Sequence, residues 1–205
     1  MTTLITLPDP TRHTPISSGD IIDPELYAEQ RKELRKAMIP VKAPRRIAVG
    51  PDATFYFENY LTMWYQVHEM LHAEKGGAEQ LKDELAAYNP LIPNGSELVA
   101  TLMFEINDPD RRERVLQQLG GVETKAFLGF GDFEIFATPE MDVERTKETG
   151  RTSSVHFLHF PLAKEAVEAF KNEEGEIILG IAHANYNHRA ILNAENLSSL
   201  RKDLA

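Results

Sequence analysis

Residues 57–74 read FENYLTMWYQVHEMLHAE, and the fold turns on whether this stretch is a core-facing helix or the start of a metal site. At 3.6 residues per turn, Tyr60, Met63, Trp64, Val67, Met70 and Leu71 gather on one apolar stripe, the signature of a helix that buries one side. His68 and His72 fall beside that stripe with Leu61 and Tyr65, at the boundary between core and surface. Glu69 and Glu58 fall on the polar side. The spacing predicts a long central helix on which the rest of the chain packs.

The same stretch contains His68-Glu69-Met70-Leu71-His72, an HExxH. Residues four apart share a helix face, so both imidazoles can point at one divalent metal while Glu69 acts as catalytic base on a bound water. A catalytic zinc also needs a third protein ligand and an open position. The chain continues AEKGGAE (73–79), without the third histidine of an extended motif. Two boundary histidines in a structural helix are the preferred reading; a metal-dependent hydrolase using His68 and His72 is the alternative.

Composition narrows the classes further. The 205 residues include 42% hydrophobic and 26% charged side chains, the balance of a soluble globular chain. There is no cysteine, so disulfides, thiolate zinc and cysteine-ligated iron–sulfur clusters held by this chain alone are excluded. A formal charge of -10 disfavours contact with nucleic acid. No apolar run approaches membrane-spanning length, and the opening MTTLITLPDP lacks the basic start and apolar length of a signal peptide. A cytoplasmic location is expected, and a homo-oligomer stays open. The basic cluster Arg31, Lys32, Arg35, Lys36, Lys42, Arg45 and Arg46 reads as a solvated helix face and loop.

Along the chain, 1–15 reads as a flexible arm and 16–205 as one α+β domain. Asp23 and Pro24 open a helix over 24–38 that Pro40 and Pro44 end. Short strands at 45–49 and 53–58 flank a Gly50-Pro51-Asp52 turn. A second helix follows Gly76-Gly77 and runs to about residue 87. Strands are expected at 98–106, 125–130, 133–137, 152–160, 177–183 and 189–192, with helices after Pro109, over 163–172 and at the end. Residues 139–151 read as a polar loop with some helix. Strand pairs mixed with helices, without regular alternation, indicate a mostly antiparallel or mixed sheet packed on the central helix.

Several phrases together resemble a bacterial family known as domain of unknown function 3501. They are FEN (57–59), YQVHEML (65–71), AYNPLIPNG (87–95), SSVHF (153–157) and the spacing of Gly180, His183 and Tyr186. In the family's pattern the central helix resembles YQIQEMLR, so Tyr65, Gln66, Glu69 and Met70 match whereas His68 and His72 depart from it. The resemblance implies no reaction. It implies an accessory role in peroxide or redox defence, beside rubrerythrin-like and iron–sulfur oxidoreductase partners.

The site candidates are Glu58, Tyr65, Gln66, Glu69, Tyr88, Asn89, His156 and His183. If the sheet covers the helix, carboxylate and imidazole from separate elements could converge for metal binding or acid–base work. The competing expectation has the glutamates paired with basic side chains and each histidine held by a backbone carbonyl.

Overall fold

The computed structural model describes residues 5–140 and 150–205. In chain order the elements are α1 (Pro24–Lys42), β1 (Arg46–Val49), β2 (Ala53–Glu58), α2 (Tyr60–Glu74), α3 (Gly77–Tyr88), β3 (Glu97–Phe104) and α4 (Pro109–Gln117). Then follow β4 (Ala126–Phe130), β5 (Phe133–Phe136), β6 (Thr138–Pro139), β7 (Val155–Pro161), α5 (Lys164–Asn172), β8 (Ile178–His183), β9 (Tyr186–Ile191) and α6 (Ala194–Leu200). The reading of 139–151 falls mostly on 141–149, outside the described residues.

The fold is α+β, with two antiparallel sheets where the sequence suggested one. Strands β1-β2-β3-β7-β6 form the first sheet and β5-β4-β8-β9 the second. The chain passes from the second to the first at Ala137, whose N–H still donates to the Ala126 carbonyl.

Period-two alternation decides what each face of the first sheet meets. Phe55 and Phe57 on β2, Leu98, Ala100 and Leu102 on β3, and Leu158 and Phe160 on β7 point toward the second sheet. There they meet Leu128, Phe130, Leu179 and Ile181, while Leu116, Phe170 and Leu200 from α4, α5 and α6 join the same core. The opposite face, with Val99 and Phe157, packs on Tyr27, Leu34 and Met38 of α1 and on Tyr60, Met63 and Val67 of α2. Fully burying each Leu, Ile, Val, Phe or Met among them contributes about 1.5–3 kcal/mol.

The structure corrects the reading of α2 in one respect. Residues Tyr60–Tyr65, Val67 and His68 are all buried, so the first half of the helix has no solvent side. Neighbours on several sides explain this: the sheet, α1, α3 and the amino-terminal segment enclose it. Asn59 caps it, its Oδ1 accepting from the Thr62 N–H at 3.0 Å while the Asn59 N–H donates to Thr62 Oγ1 at 2.9 Å.

Residues 5–15, read from sequence as an arm, run against the helices. The Ile5 N–H donates to Gln30 Oε1 at 2.9 Å, Arg12 stacks on Tyr60 at 4.1 Å, and His13 Nδ1 lies 2.9 Å from the Pro93 carbonyl.

α1 also runs further than its prolines suggest, through Pro40 to Lys42. Proline removes one helical bond, but the Ala43 N–H still reaches the Ile39 carbonyl and Met38 stays buried. At 19 residues it exceeds the 15 of α2, so the central helix is not the longest.

Tyr186 ties the two sheets together. Its hydroxyl accepts from the N–H groups of Asp52 and Ala53 at 3.0 and 2.9 Å and donates to the Val49 carbonyl at 2.8 Å. Gly180 matters for a different reason: a Cβ there would sit 2.5 Å from the Phe127 ring.

Candidate functional site

Alternation on β2 and β3 turns Tyr56, Glu58, Thr101 and Met103 away from the inter-sheet core and toward α2. Together with Thr62, Met63 and Gln66 of α2, Lys42 of α1, and Tyr88, Leu91, Val155 and Phe157, they line a cavity of about 340 Å³. A second cavity of about 540 Å³ adjoins it, lined by Arg31, Arg35, Met38, Ile39, Lys42, Arg46, Tyr65, Gln66 and Glu69 among others. Lys42 and Gln66 line both, so the two adjoin at this pair and together are referred to as the groove. Five of the eight candidates, Glu58, Tyr65, Gln66, Glu69 and Tyr88, lie along it.

Glu58 is the buried acid of the groove. Thr62 Oγ1 donates to its Oε2 at 2.7 Å and Thr101 Oγ1 to its Oε1 at 2.9 Å. Burial raises its pKa above the ordinary value, against the opposing pull of the two hydroxyls and of Lys42 and Arg45. Lys42 is displaced the other way, its ammonium pushed toward neutrality by burial. Its Nζ sits 4.7 Å from the centroid of the Tyr65 ring, a cation–π contact. Gln66 Nε2 reaches the Tyr88 hydroxyl at 3.5 Å.

Glu69 is fully engaged. Arg31 grips it with Nε to Oε1 at 2.8 Å and Nη2 to Oε2 at 2.7 Å, and the Tyr27 hydroxyl donates to Oε1 at 2.6 Å. Burial pushes its pKa up, but these donors outweigh that and hold it below the usual carboxylate value. The basic partner expected for Glu69 is therefore present, and it is Arg31 on α1.

The HExxH histidines do not fit a shared metal as arranged. His68 is 2% exposed. Its Nδ1 donates to the Trp64 carbonyl at 2.7 Å and its Nε2 accepts from the Ile22 N–H at 3.0 Å, so both ring nitrogens are committed. It belongs to the core rather than to the boundary where the apolar stripe placed it, because the amino-terminal segment covers that side. His72 lines a separate cavity of about 710 Å³ with Ile21, Ile22 and Leu81. Among the described residues, no three His, Asp or Glu side chains are grouped to hold a metal ion.

The remaining candidates stand apart from the groove and from one another. Asn89 clamps the amino-terminal segment, accepting from the Ile16 N–H at 2.7 Å and donating to the Ile16 carbonyl at 3.0 Å. His156 shares the inter-sheet face of β7 with Leu158 and Phe160; its Nε2 lies 2.9 Å from the Ser153 carbonyl and its ring meets Phe104 edge-on. His183 sits at the β8–β9 turn, Nε2 3.3 Å from the Gly120 carbonyl. The expected convergence of Glu69, His156 and His183 is absent: strand alternation sends His156 to the wrong face of the sheet, and His183 lies on the other sheet.

Sequence reasoning missed Lys42, Thr62, Thr101 and Arg46 as groove residues. On a helix that continues through Pro40, Arg31, Arg35, Met38 and Lys42 fall at i, i+4, i+7 and i+11, one continuous stripe.

Burial of His68 has a testable consequence. Desolvation lowers its pKa below 6.5, so as pH falls through about 6.5 the unfolded chain takes up a proton that the folded chain resists. Stability contributed by neutral His68 is complete above that pH and declines below it. In His68→Gln, melting curves should lose part of this acid-side decline, and zinc should leave the melting temperature of the parent unchanged. A zinc-dependent rise in the parent that disappears in His68→Gln would show the ring abandoning both bonds for a metal.

No helix among the described residues is long and apolar enough to cross a membrane. No curated protein matches the chain. A crystal structure of a protein of unknown function from Burkholderia pseudomallei K96243 is similar at 32% identity, with a TM-score of 0.86 over 94% of this chain and 100% of that one. The profile of a family described as "protein of unknown function (DUF3501)" matches residues 15–204. Nearly the whole described fold, groove included, falls within that match, and the chain belongs to this family.

Proposed function

We propose that the protein is a cytoplasmic binding or accessory protein that takes a small molecule in the groove between α1, α2 and the helix-side face of the first sheet. The observation that carries this reading is the meeting of Glu58, Lys42, Gln66 and Tyr88 on one cavity wall. Burying an ionisable group without an ion-pair partner costs stability, and such groups concentrate where a ligand uses them. Both cavities have the size of small-molecule sites.

The partner class in this proposal, rubrerythrin-like and iron–sulfur oxidoreductase proteins, comes from the family resemblance. Since the chain has no cysteine, a cysteine-ligated cluster would belong to the partner. The hydrolase alternative draws less support, because His68 and Glu69 spend their donors and acceptors on Trp64, Ile22, Tyr27 and Arg31.

Native mass spectrometry after incubation with a bacterial small-molecule extract tests the groove. The parent should retain a bound small molecule, and Gln66→Trp, which fills the junction of the two cavities, should lose it. Equal retention by Gln66→Trp, or none by the parent, would remove the reading.

A further inference from the structure

The charge distribution in the groove is lopsided in a way that selects a ligand class. Arg35, Lys42 and Arg46 all line its outer part. Among the described residues, none of the three forms an ion pair. Lys42 rests on the Tyr65 ring and Arg46 on the Tyr56 ring, each 4.7 Å from the centroid. The neighbouring carboxylates are spoken for: Glu69 by Arg31 and Tyr27, Glu58 by two threonine hydroxyls, and Glu105, which feels the charge of Arg46 without pairing to it, by the Tyr56 hydroxyl. In a chain of formal charge -10, unpaired cations gathered on one concave wall are the exception.

The inner cavity has a different character. Met63, Leu91, Met103, Val155 and Phe157 supply an apolar wall, interrupted by Glu58, Thr101 and Tyr88. A bare inorganic anion would gain nothing from that wall, and an organic cation would meet Lys42 at the junction. Resting on the groove as the binding site, we infer that its ligand is a small organic acid with an apolar body, the carboxylate held by Lys42 and Arg46 and the carbon skeleton lying in the inner cavity. Charge-assisted bonds from the two cations fix the head, and apolar contact holds the remainder.

Titration calorimetry with octanoate, octanol and octylamine as probes separates the alternatives, beside co-sedimentation with phosphatidylglycerol vesicles. Octanoate should bind, octanol roughly tenfold more weakly, and octylamine not at all, the difference expected for a charge-assisted contact. Lys42→Met should weaken octanoate binding by roughly tenfold and Arg46→Gln several-fold, with octanol unaffected. Arg151→Ala, whose side chain pairs with Glu113 away from the groove, should change nothing. Because Arg46 is exposed, Arg46→Gln carries the test even if Lys42→Met does not fold.

Octanol binding as tightly as octanoate, with both blocked by Gln66→Trp, would overturn the acid class while leaving the groove as the site. Octanoate binding that survives Gln66→Trp would instead remove the groove. Vesicle binding without octanoate binding, or no binding of any probe, would also overturn the inference.

Discussion

Asp203→Ala is expected to destabilise the protein by about 3–5 kcal/mol, because it strands a buried guanidinium. Arg45 and Asp203 are 3% exposed each and pair through Nη2 and Oδ2. Arg45 also donates from Nε to the Phe57 carbonyl and from Nη2 to the Glu58 carbonyl, both at 2.8 Å, and from Nη1 to Ser199 Oγ at 3.1 Å. One side chain thus ties the end of β2 to α6 and to the carboxy-terminal turn. Removing its counter-ion leaves a buried charge without its compensating carboxylate. At roughly 2–4 °C per kcal/mol for a chain of this size, the melting temperature should fall by roughly 6–20 °C. The double variant Arg45→Met with Asp203→Leu should cost less than the two single changes added together, since no lone charge remains. A drop of under about 1 kcal/mol in Asp203→Ala would mean the pair is hydrated and the carboxy-terminal turn loosely seated.

Phe160→Ala is the second large effect, again expected at about 3–5 kcal/mol. Phe160 is fully buried on the inter-sheet face of β7, with ring centroids 6.4 Å from Phe55 and 6.1 Å from Phe57. Deleting it removes apolar burial and opens a hole that two strands on one side and a second sheet on the other cannot readily close. Phe136→Ala is the matched control: that ring is 45% exposed at the edge of the second sheet, and its loss should be far milder. Urea titration of both variants measures the contrast. Similar midpoints for the two would contradict the inter-sheet core as described.

The fold class was legible because alternation and helical spacing are local signals. In β7 the split of Val155 and Phe157 from His156, Leu158 and Phe160 follows from the side-chain period of a strand, and the structure keeps it. Which sheet a strand joins is set by contacts far along the chain, so the division into two sheets left no local trace. The same limit explains His68. Its place on the helix was readable, but the Ile22 N–H that occupies its Nε2 arrives from 46 residues away. Five groove residues could be named because they cluster near one helix. The basic wall could not, since Pro40 hid the last turn of α1 and made Lys42 look like loop. Nothing local distinguishes Arg45 from its solvated basic neighbours, although it is buried against a carboxylate 158 positions later.

The clasp at Tyr186 has a thermodynamic side. One phenol oxygen joins positions 133 to 137 apart, so α2, α3, β3 and β7 all hang inside a loop whose ends it pins. Closing a loop of that length costs chain entropy that grows only slowly with size, and once it is spent every contact within the loop forms more cheaply. The elements inside that loop are therefore expected to unfold together with the sheets that close it; a single denaturation step, rather than two, is what such a knot of interdependence implies.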